Sequence, residues 1–160
     1  MMKLFHGSNI KIDIPDLAHS KPNKDFGRGF YLSADKSQAQ DMAKQKVDQT
    51  QKGTAEVTEF LFDESIMQSN ELKILIFENY CEEWAKFVVA NRNSKSEFSE
   101  HDYDIVYGPI ADDGVTFQLR RFEGGVITLP KLVEELKYAK GITFQYFFGT
   151  ERALKLLKRL

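Results

Sequence analysis

Two short apolar segments near the N-terminus, each interrupted by glycine and ending in serine, most constrain how this chain can fold. Leu4–Ser8 reads Leu-Phe-His-Gly-Ser, and Gly27–Ser33 reads Gly-Arg-Gly-Phe-Tyr-Leu-Ser. Short β-strands are predicted over Lys3–His6 and Gly29–Ser33, which have the length and apolar content of strands. The segment between them, Gly7–Lys24, contains two prolines and predicts a long loop. Loops of that length in a small domain usually bind a ligand or move. The sequence therefore predicts two strands beside a binding loop.

The rest of the chain alternates between helix-like and strand-like patterns, without a repeat or a linker. Further strands are predicted over Glu56–Asp63, Leu72–Phe77, Tyr103–Tyr107 and Ile142–Phe148. Helices are predicted over Ala34–Thr50, Tyr80–Asn91 and Lys131–Tyr138, and after Thr150, with Ser33 and Thr150 as N-caps. Asp112–Gly114 predicts a turn, and Val115–Phe122 fits either a helix or a strand. We expect one α+β domain over residues 1–160.

Charge and composition exclude several classes of function. The net charge of −2 gives no overall basic field to attract nucleic acid or an anionic membrane. The apolar runs are too short to span a bilayer, and no signal-peptide pattern follows Met1. With Cys81 as the one cysteine, no intramolecular disulfide can form. These features predict a cytoplasmic protein that does not associate with membrane, and they give no evidence for binding to nucleic acid.

The familiar cofactor and metal motifs are missing from the sequence. There is no phosphate loop of the Walker type, and Gly27-x-Gly29 is too short for a dinucleotide fingerprint and precedes a strand. The histidines His6, His19 and His101 are far apart and lack zinc-site spacing. We therefore predict no metal site, and hydrolase or kinase chemistry has little support.

The two N-terminal segments carry residues that suit a nicotinamide riboside group. A neutral His6 imidazole can donate a hydrogen bond to a ribose hydroxyl while its second nitrogen is held by another bond. Gly7 lets a ligand approach the backbone, whose N–H and C=O can read a carboxamide. Tyr31 offers a flat face for stacking and a hydroxyl. Each residue also has an ordinary structural explanation, so their combination and order carry the prediction.

The same segments offer groups for the rest of a dinucleotide. Ser8 and free backbone N–H groups around Gly27 and Gly29 are candidates for binding pyrophosphate or the carboxamide. Arg28 and Phe30 complete the predicted cofactor-binding set.

These segments also resemble a known family. Leu4–Ser8 followed by Gly27–Leu32 resembles the His and Tyr motifs of the poly(ADP-ribose) polymerase and diphtheria-toxin side of the ADP-ribosyltransferases. Together with Asp104–Asp113 and Gln145–Leu154, the whole chain resembles a compact bacterial family of uncharacterised proteins grouped with that fold. The resemblance implies split antiparallel β-sheets flanked by helices, and NAD as substrate.

By motif position, the resemblance implies roles for particular residues. His6 would contact the nicotinamide ribose, the Gly7 backbone would hold the carboxamide, and Tyr31 would stack on nicotinamide. The transferases usually also place a Glu on a later strand, where it bonds the ribose 2′-hydroxyl and stabilises a cationic transition state.

The chain departs from the family at this third position. The strand Ile142–Phe148 contains no acid, and Gln145 can orient a hydroxyl but carries no charge. Asp104 is the competing candidate, because an acid entering an apolar strand is costly unless it is paired or functional. Its alternative is a strand-end residue facing water. Asp112 and Asp113 are a further option, although they fit a turn better.

We expect an NAD-dependent mono-ADP-ribosyltransferase-like enzyme that transfers ADP-ribose to a macromolecular acceptor, as a bacterial toxin or a regulatory modifier. A toxin would have an inhibitor, or antitoxin, protein as a partner. Two alternatives stay open: a non-catalytic module that binds NAD, ADP-ribose or a protein, and an NAD glycohydrolase.

Overall fold

The computed structural model describes residues 1–160 and contains seven strands and five α-helices, so the predicted α+β class is confirmed. The strands are β1 (Met2–Ser8), β2 (Phe30–Leu32), β3 (Glu56–Phe62), β4 (Ile74–Ile76), β5 (Ile105–Pro109), β6 (Phe144–Phe148) and β7 (Lys158–Arg159). The helices are α1 (Lys36–Thr50), α2 (Glu82–Arg92), α3 (Asp113–Glu123), α4 (Leu129–Leu136) and α5 (Glu151–Leu154), and a 3-10 helix spans Glu64–Gln68.

The strands form two sheets that are mostly antiparallel. The first sheet has the order β1-β3-β7, and the second has the order β2-β6-β5-β4 with one parallel pair, β4 and β5. An isolated bridge joins β1 to β2. In this bridge the N–H groups of Phe5 and Ser33 donate to each other's carbonyl oxygens, at 2.7 and 2.8 Å.

Two apolar clusters hold the layers together. The cluster between the sheets combines Leu4 and Phe60 of the first sheet with Phe148 of the second, and α5 closes it. Helices α2, α3 and α4 cover the other face of the second sheet, where Trp84 and Phe147 are fully buried. Burial of aromatic rings of this size is the main favourable term in a small domain.

Helix α1 packs on the outer face of the first sheet, directly against Gly7. A Cβ atom at Gly7 would lie 1.9 Å from the backbone oxygen of Ala39. The buried Ala39 and Ala43 complete this contact with their small side chains. Gly7 is therefore required for the approach of α1 to β1, as well as for any approach of a ligand.

Several predicted boundaries are wrong for identifiable reasons. Ser33 does not cap α1, because its backbone is committed to the bridge with Phe5; the Asp35 carboxylate accepts from the N–H of Ser37 instead. Asp112 does not form a turn but caps α3 by accepting from the N–H of Val115. The predicted strands and the Thr150 cap are confirmed within a few residues, whereas the short strand β7 has no counterpart among the predictions.

We predict that Gly7→Ala destabilises the protein by about 2–3 kcal/mol or more, because the added methyl overlaps backbone that cannot move without shifting α1. Gly114→Ala is the matched control, since its new methyl would make only an ordinary contact with Asp112 at 3.5 Å. It should leave stability unchanged or raise it slightly, as alanine favours the helix. Urea denaturation of both variants measures this, and equal midpoints would contradict the packing explanation.

Candidate functional site

The candidate site is a fork where β1 and β2 diverge beyond the Phe5–Ser33 bridge. Continuing the antiparallel register from that bridge sets Gly7 opposite Tyr31, but no backbone hydrogen bond joins these two residues. Alternate residues of a strand direct their backbone groups to the same edge. Because Phe5 and Ser33 bond across this edge, the N–H and C=O of Gly7 and the N–H of Tyr31 face the gap. The fork thus presents backbone donors and an acceptor without intrachain partners.

His6 lies at the inner side of the fork. Its ring stacks on Phe30 with centroids 4.1 Å apart, and its Nδ1 lies 2.6 Å from the carbonyl oxygen of Tyr31. Burial lowers the pKa of His6 to about 4, helped by the nearby charges of Lys46 and Lys24, although the bond to Tyr31 opposes the shift. The imidazole is therefore neutral at physiological pH.

The bond to Tyr31 also fixes the tautomer of His6. A carbonyl oxygen can only accept, so Nδ1 carries the proton and donates. In a neutral ring Nε2 is then an acceptor. The prediction that His6 donates to a ribose hydroxyl is therefore wrong in direction: Nε2 would accept a hydrogen bond from that hydroxyl.

Tyr31 is half-buried, and its hydroxyl is already occupied. The hydroxyl donates to the carbonyl oxygen of Gly27 at 2.6 Å and accepts from the N–H of Phe26 at 3.0 Å. Burial, reinforced by the charge of Asp25, raises the pKa of Tyr31 well above its usual range. The ring lies edge-on to Phe147, with Lys24 Nζ 6.0 Å from its centroid. The ring also stacks on Phe26, with centroids 6.4 Å apart, and the hydroxyl holds the loop.

The N–H groups at Gly27 and its two neighbours are not free, contrary to the prediction for this part of the loop; the N–H of Gly29 is not among the bonded ones. The N–H of Phe26 bonds the Tyr31 hydroxyl, the N–H of Gly27 bonds the carbonyl of Lys24 at 3.0 Å, and the N–H of Arg28 bonds Ser99 at 2.9 Å. An anion cradle at these amides is therefore excluded in this conformation.

Packing accounts for the two loop glycines. A Cβ at Gly27 would meet the Ser99 hydroxyl at 2.1 Å, and one at Gly29 would meet the Phe147 ring at 2.2 Å. Gly27 also has a φ of +96°, which disfavours other residues. The side chain of Arg28 bonds Ser20 and the carbonyl of Ala18, which ties the loop to itself.

Two residues that position this loop, His101 and Ser99, carried no signal of that role in the sequence. The His101 Nδ1 accepts from the N–H of Tyr103 at 3.0 Å, so its Nε2 carries the proton that is donated to the Phe26 carbonyl at 2.6 Å. Ser99 bonds Arg28 and packs on Gly27. Both act on the candidate site through the turn that holds the Tyr31 hydroxyl. Only the three-dimensional fold brings residues so distant in sequence together.

Gln145 lies on the same sheet face as Tyr31. Phe147 pairs with Tyr31, so Gln145, two residues before it on β6, is a diagonal neighbour of Tyr31. Such neighbours are roughly 7–8 Å apart. The Gln145 side chain is half-exposed and makes no hydrogen bond within the protein. Gln145 is therefore beside the fork with a free amide.

Asp104 belongs to a different part of the structure. It is almost fully buried and accepts hydrogen bonds from Arg152 at 2.5 and 2.8 Å, from Thr150 at 2.6 Å and from the N–H of Lys73 at 2.8 Å. Burial opposes ionisation of Asp104, but these bonds outweigh it and lower the pKa. With four donors on two oxygens, Asp104 ties β5 to α5 and has no lone pair free for a ribose.

Of the remaining predicted residues, Ser8 and Phe30 lie close to the fork, whereas Asp112 and Asp113 do not. Ser8 is buried, and its hydroxyl makes only a long bond of 3.4 Å to Asn9. Phe30 is buried between the sheets, where its ring supports His6. Asp112 and Asp113 begin α3, as its N-cap and first residue, and are not part of the fork.

Two surface grooves open on the opposite face of the second sheet. One, of about 390 Å³, is lined by Tyr107, Phe144 and Tyr146, which alternate with the residues on the Tyr31 face, and by one acid, Glu78. The other includes Ser33, the bridge residue that follows β2. Neither groove contains Gly7, His6 or Tyr31.

Comparison with known proteins places the chain in a family. Residues 2–159 match the family described as "Protein of unknown function (DUF3990)". The chain belongs to this family. No curated protein and no solved structure matches it.

The structure has no arrangement suited to a metal ion and no helix suited to crossing a membrane. No group of three or more His, Cys, Asp or Glu side chains is arranged to hold a metal ion. None of the helices combines the length and apolar character needed to cross a bilayer.

The low pKa of His6 predicts acid sensitivity. A base whose pKa is about 4 when folded and about 6.5 when unfolded binds more protons in the unfolded state between these values. The free energy of unfolding should therefore fall as pH drops from about 6.5 to 4. The loss should be at most roughly 3 kcal/mol, and it should be smaller to the extent that solvent reaches the His6 ring. In His6→Asn, which keeps a donor for the Tyr31 carbonyl and does not titrate, the slope should be shallower.

Chemical denaturation at several pH values between 4 and 7.5 measures this effect. The exposed His19→Asn variant is the matched control and should retain the wild-type slope. His101, whose pKa is also lowered by burial, accounts for the slope that persists in His6→Asn. Identical slopes in wild type and His6→Asn would show that the His6 environment is misassigned.

Proposed function

We propose that this protein binds NAD in the fork between β1 and β2 and cleaves its nicotinamide–ribose bond, transferring ADP-ribose to a macromolecular acceptor. The observation that carries the proposal is the unpaired backbone edge at Gly7, flanked by a neutral His6 and the ring of Tyr31. In this proposal the split sheets correspond to an ADP-ribosyltransferase-like fold.

A carboxamide matches the fork in donor and acceptor pattern. Its carbonyl needs one donor and its NH₂ group one acceptor. The N–H and C=O of Gly7 face the same gap and supply one of each. An edge strand with free backbone groups is otherwise a liability, because it can pair with another chain. A planar amide that satisfies both groups is the small ligand that this edge fits best.

The face of Tyr31 suits a positively charged ring. Lys24 Nζ already lies 6.0 Å from its centroid, so the ring has a cation beside it that a stacked nicotinamide would replace. The nicotinamide ring of NAD is itself cationic. With its hydroxyl held by Gly27 and Phe26, Tyr31 is fixed in orientation and can stack without losing side-chain freedom on binding.

The chemical step needs no group beyond the substrate and an acceptor nucleophile. The C–N bond to nicotinamide breaks, neutral nicotinamide leaves with the electron pair, and positive charge develops at ribose C1′. His6 Nε2 accepts from a ribose hydroxyl, and the Gln145 amide can orient another. The acceptor then attacks C1′ and loses its proton to solvent or to its own base. Toxin and regulatory roles would share this step, and the single reduced Cys81 is compatible with a cytoplasmic setting.

A specific observation favours a second candidate, a non-catalytic NAD-binding module. The neutral Gln145 occupies the position beside Tyr31 where a carboxylate would stabilise the developing cation, and Asp104 is fully committed elsewhere. Preorganised charge of this kind typically changes a rate by two to three orders of magnitude. The two candidates therefore differ in turnover and not in NAD binding.

The test is to supply NAD labelled separately in its nicotinamide and adenylate parts, with a cell extract as the source of acceptors. A transferase releases nicotinamide and places the adenylate label on protein or nucleic acid. Release without macromolecular label indicates an NAD glycohydrolase, which would contradict transfer. Binding of NAD without release supports the non-catalytic module, and absence of binding overturns the proposal for the fork.

Variants at the third position sharpen this test. Gln145→Glu should raise nicotinamide release on the order of 10- to 100-fold, because it places a carboxylate beside the ribose. Gln145→Ala should lower release while NAD still binds. Asp104→Asn should lower thermal stability, because it weakens a buried ion pair, but leave release per folded molecule unchanged. If Asp104→Asn abolishes release and Gln145 variants do not, the assignment of Gln145 is wrong.

A further inference from the structure

A cluster of lysines borders the fork without acidic partners. It consists of Lys21 and Lys24 in the loop before β2 and Lys46 on α1, and none of the three forms an ion pair. The acid next to Lys24 in sequence, Asp25, is paired with Arg92 at 2.7 Å. The three lysines therefore form a patch of uncompensated positive charge, although the net charge of the whole chain is −2.

The backbone places two of these lysines at the fork. Lys24 Nζ lies 6.0 Å from the ring centroid of Tyr31. Ala39 and Ala43 contact Gly7, and Lys46, three residues beyond Ala43, is on the same face of α1. Lys46 therefore approaches the fork from the α1 side and Lys24 from the loop side.

The electrostatics agree with this placement. Burial, followed by the charges of Lys46 and Lys21, lowers the pKa of Lys24. Burial and the charge of Lys21 likewise lower the pKa of Lys46. Each ammonium is thus held close to others of the same sign. A bound anion would relieve that repulsion, as a diphosphate group does when several basic residues surround it.

We propose that Lys24 and Lys46, assisted by Lys21, bind the diphosphate group of the dinucleotide. The inference rests on the proposed function, since it assumes that nicotinamide occupies the fork. It replaces the backbone amides around Gly27, which are already bonded within the loop. It also gives the site a preference: a ligand with a diphosphate should bind far better than nicotinamide or its riboside.

The experiment measures binding of inorganic pyrophosphate, ADP, nicotinamide and NAD to the full chain by calorimetry at low salt. Wild type should bind pyrophosphate and ADP, with affinity that falls as salt rises. Lys24→Gln and Lys46→Gln should each weaken pyrophosphate and ADP binding about 10-fold. Lys46→Gln, which removes a lysine that does not lie over the Tyr31 ring, should leave nicotinamide binding unchanged. The matched control is Lys44→Gln, an exposed lysine on α1 two residues from Lys46, which should bind like wild type.

The outcomes separate this inference from the proposed function. If NAD binds and both lysine variants bind it as tightly as wild type, the lysine assignment is overturned while the fork survives. If pyrophosphate binding depends on both lysines but neither nicotinamide nor NAD competes with it, the anion site stands and the proposed function fails. No pyrophosphate binding by wild type overturns the lysine site directly. Circular dichroism of each variant verifies folding.

Discussion

The candidate site depends on the bridge between Phe5 and Ser33, which joins the two sheets and then stops. Had the pairing continued, Gly7 and Tyr31 would satisfy each other's backbone groups and leave nothing for a ligand. Beyond the bridge the two strands follow different sheets: β1 continues along β3 to Ser8, and β2 pairs on its other edge with β6. The His6 ring then takes the Tyr31 carbonyl, which closes the inner side of the fork. An edge held open in this way is preorganised. Folding supplies the free energy that keeps the strands apart, so ligand binding does not have to supply it.

Distant packing keeps the fork rigid on both sides. On one side, α1 contacts Gly7 through backbone atoms, so β1 cannot shift toward β2 without moving a whole helix. On the other side, the Tyr31 hydroxyl donates to the carbonyl oxygen of Gly27. The side chain of His101 donates to the carbonyl oxygen of Phe26 in the same turn. The tautomer of His101 is fixed, because one ring nitrogen donates to a backbone carbonyl and the other accepts from a backbone N–H. Loss of the bonds at the Gly27 turn would loosen the position of the Tyr31 ring, and loss of the α1 contact would loosen β1 at Gly7.

Much of the fold follows from local pattern, whereas the chemistry of the site does not. The alternating strands and the helix over residues 36–50 were predictable because burial on one face sets their period. Ser33 and Asp112 were misjudged because a good capping residue and a good turn residue look alike until the tertiary pairing is known. Asp104 attracted attention as a buried acid, but its partner Arg152 is 48 residues away and only folding brings them together. The direction of the His6 hydrogen bond likewise depends on a carbonyl 25 residues away.

In the proposed reaction, the charge of the site would link NAD binding to turnover. Lysines at the fork would oppose a cation developing at ribose C1′, and Gln145 supplies no charge to offset them. A bound diphosphate brings negative charge between the lysines and the ribose, so the substrate itself provides part of the field that its own cleavage requires. Truncated ligands that lack the diphosphate would bind more weakly. They would also be cleaved more slowly, because the positive charge of the lysines would stay uncompensated. On this reasoning the lysines belong to the same functional unit as His6 and Tyr31, and the neutral third position is tolerable only because the ligand carries its own anion.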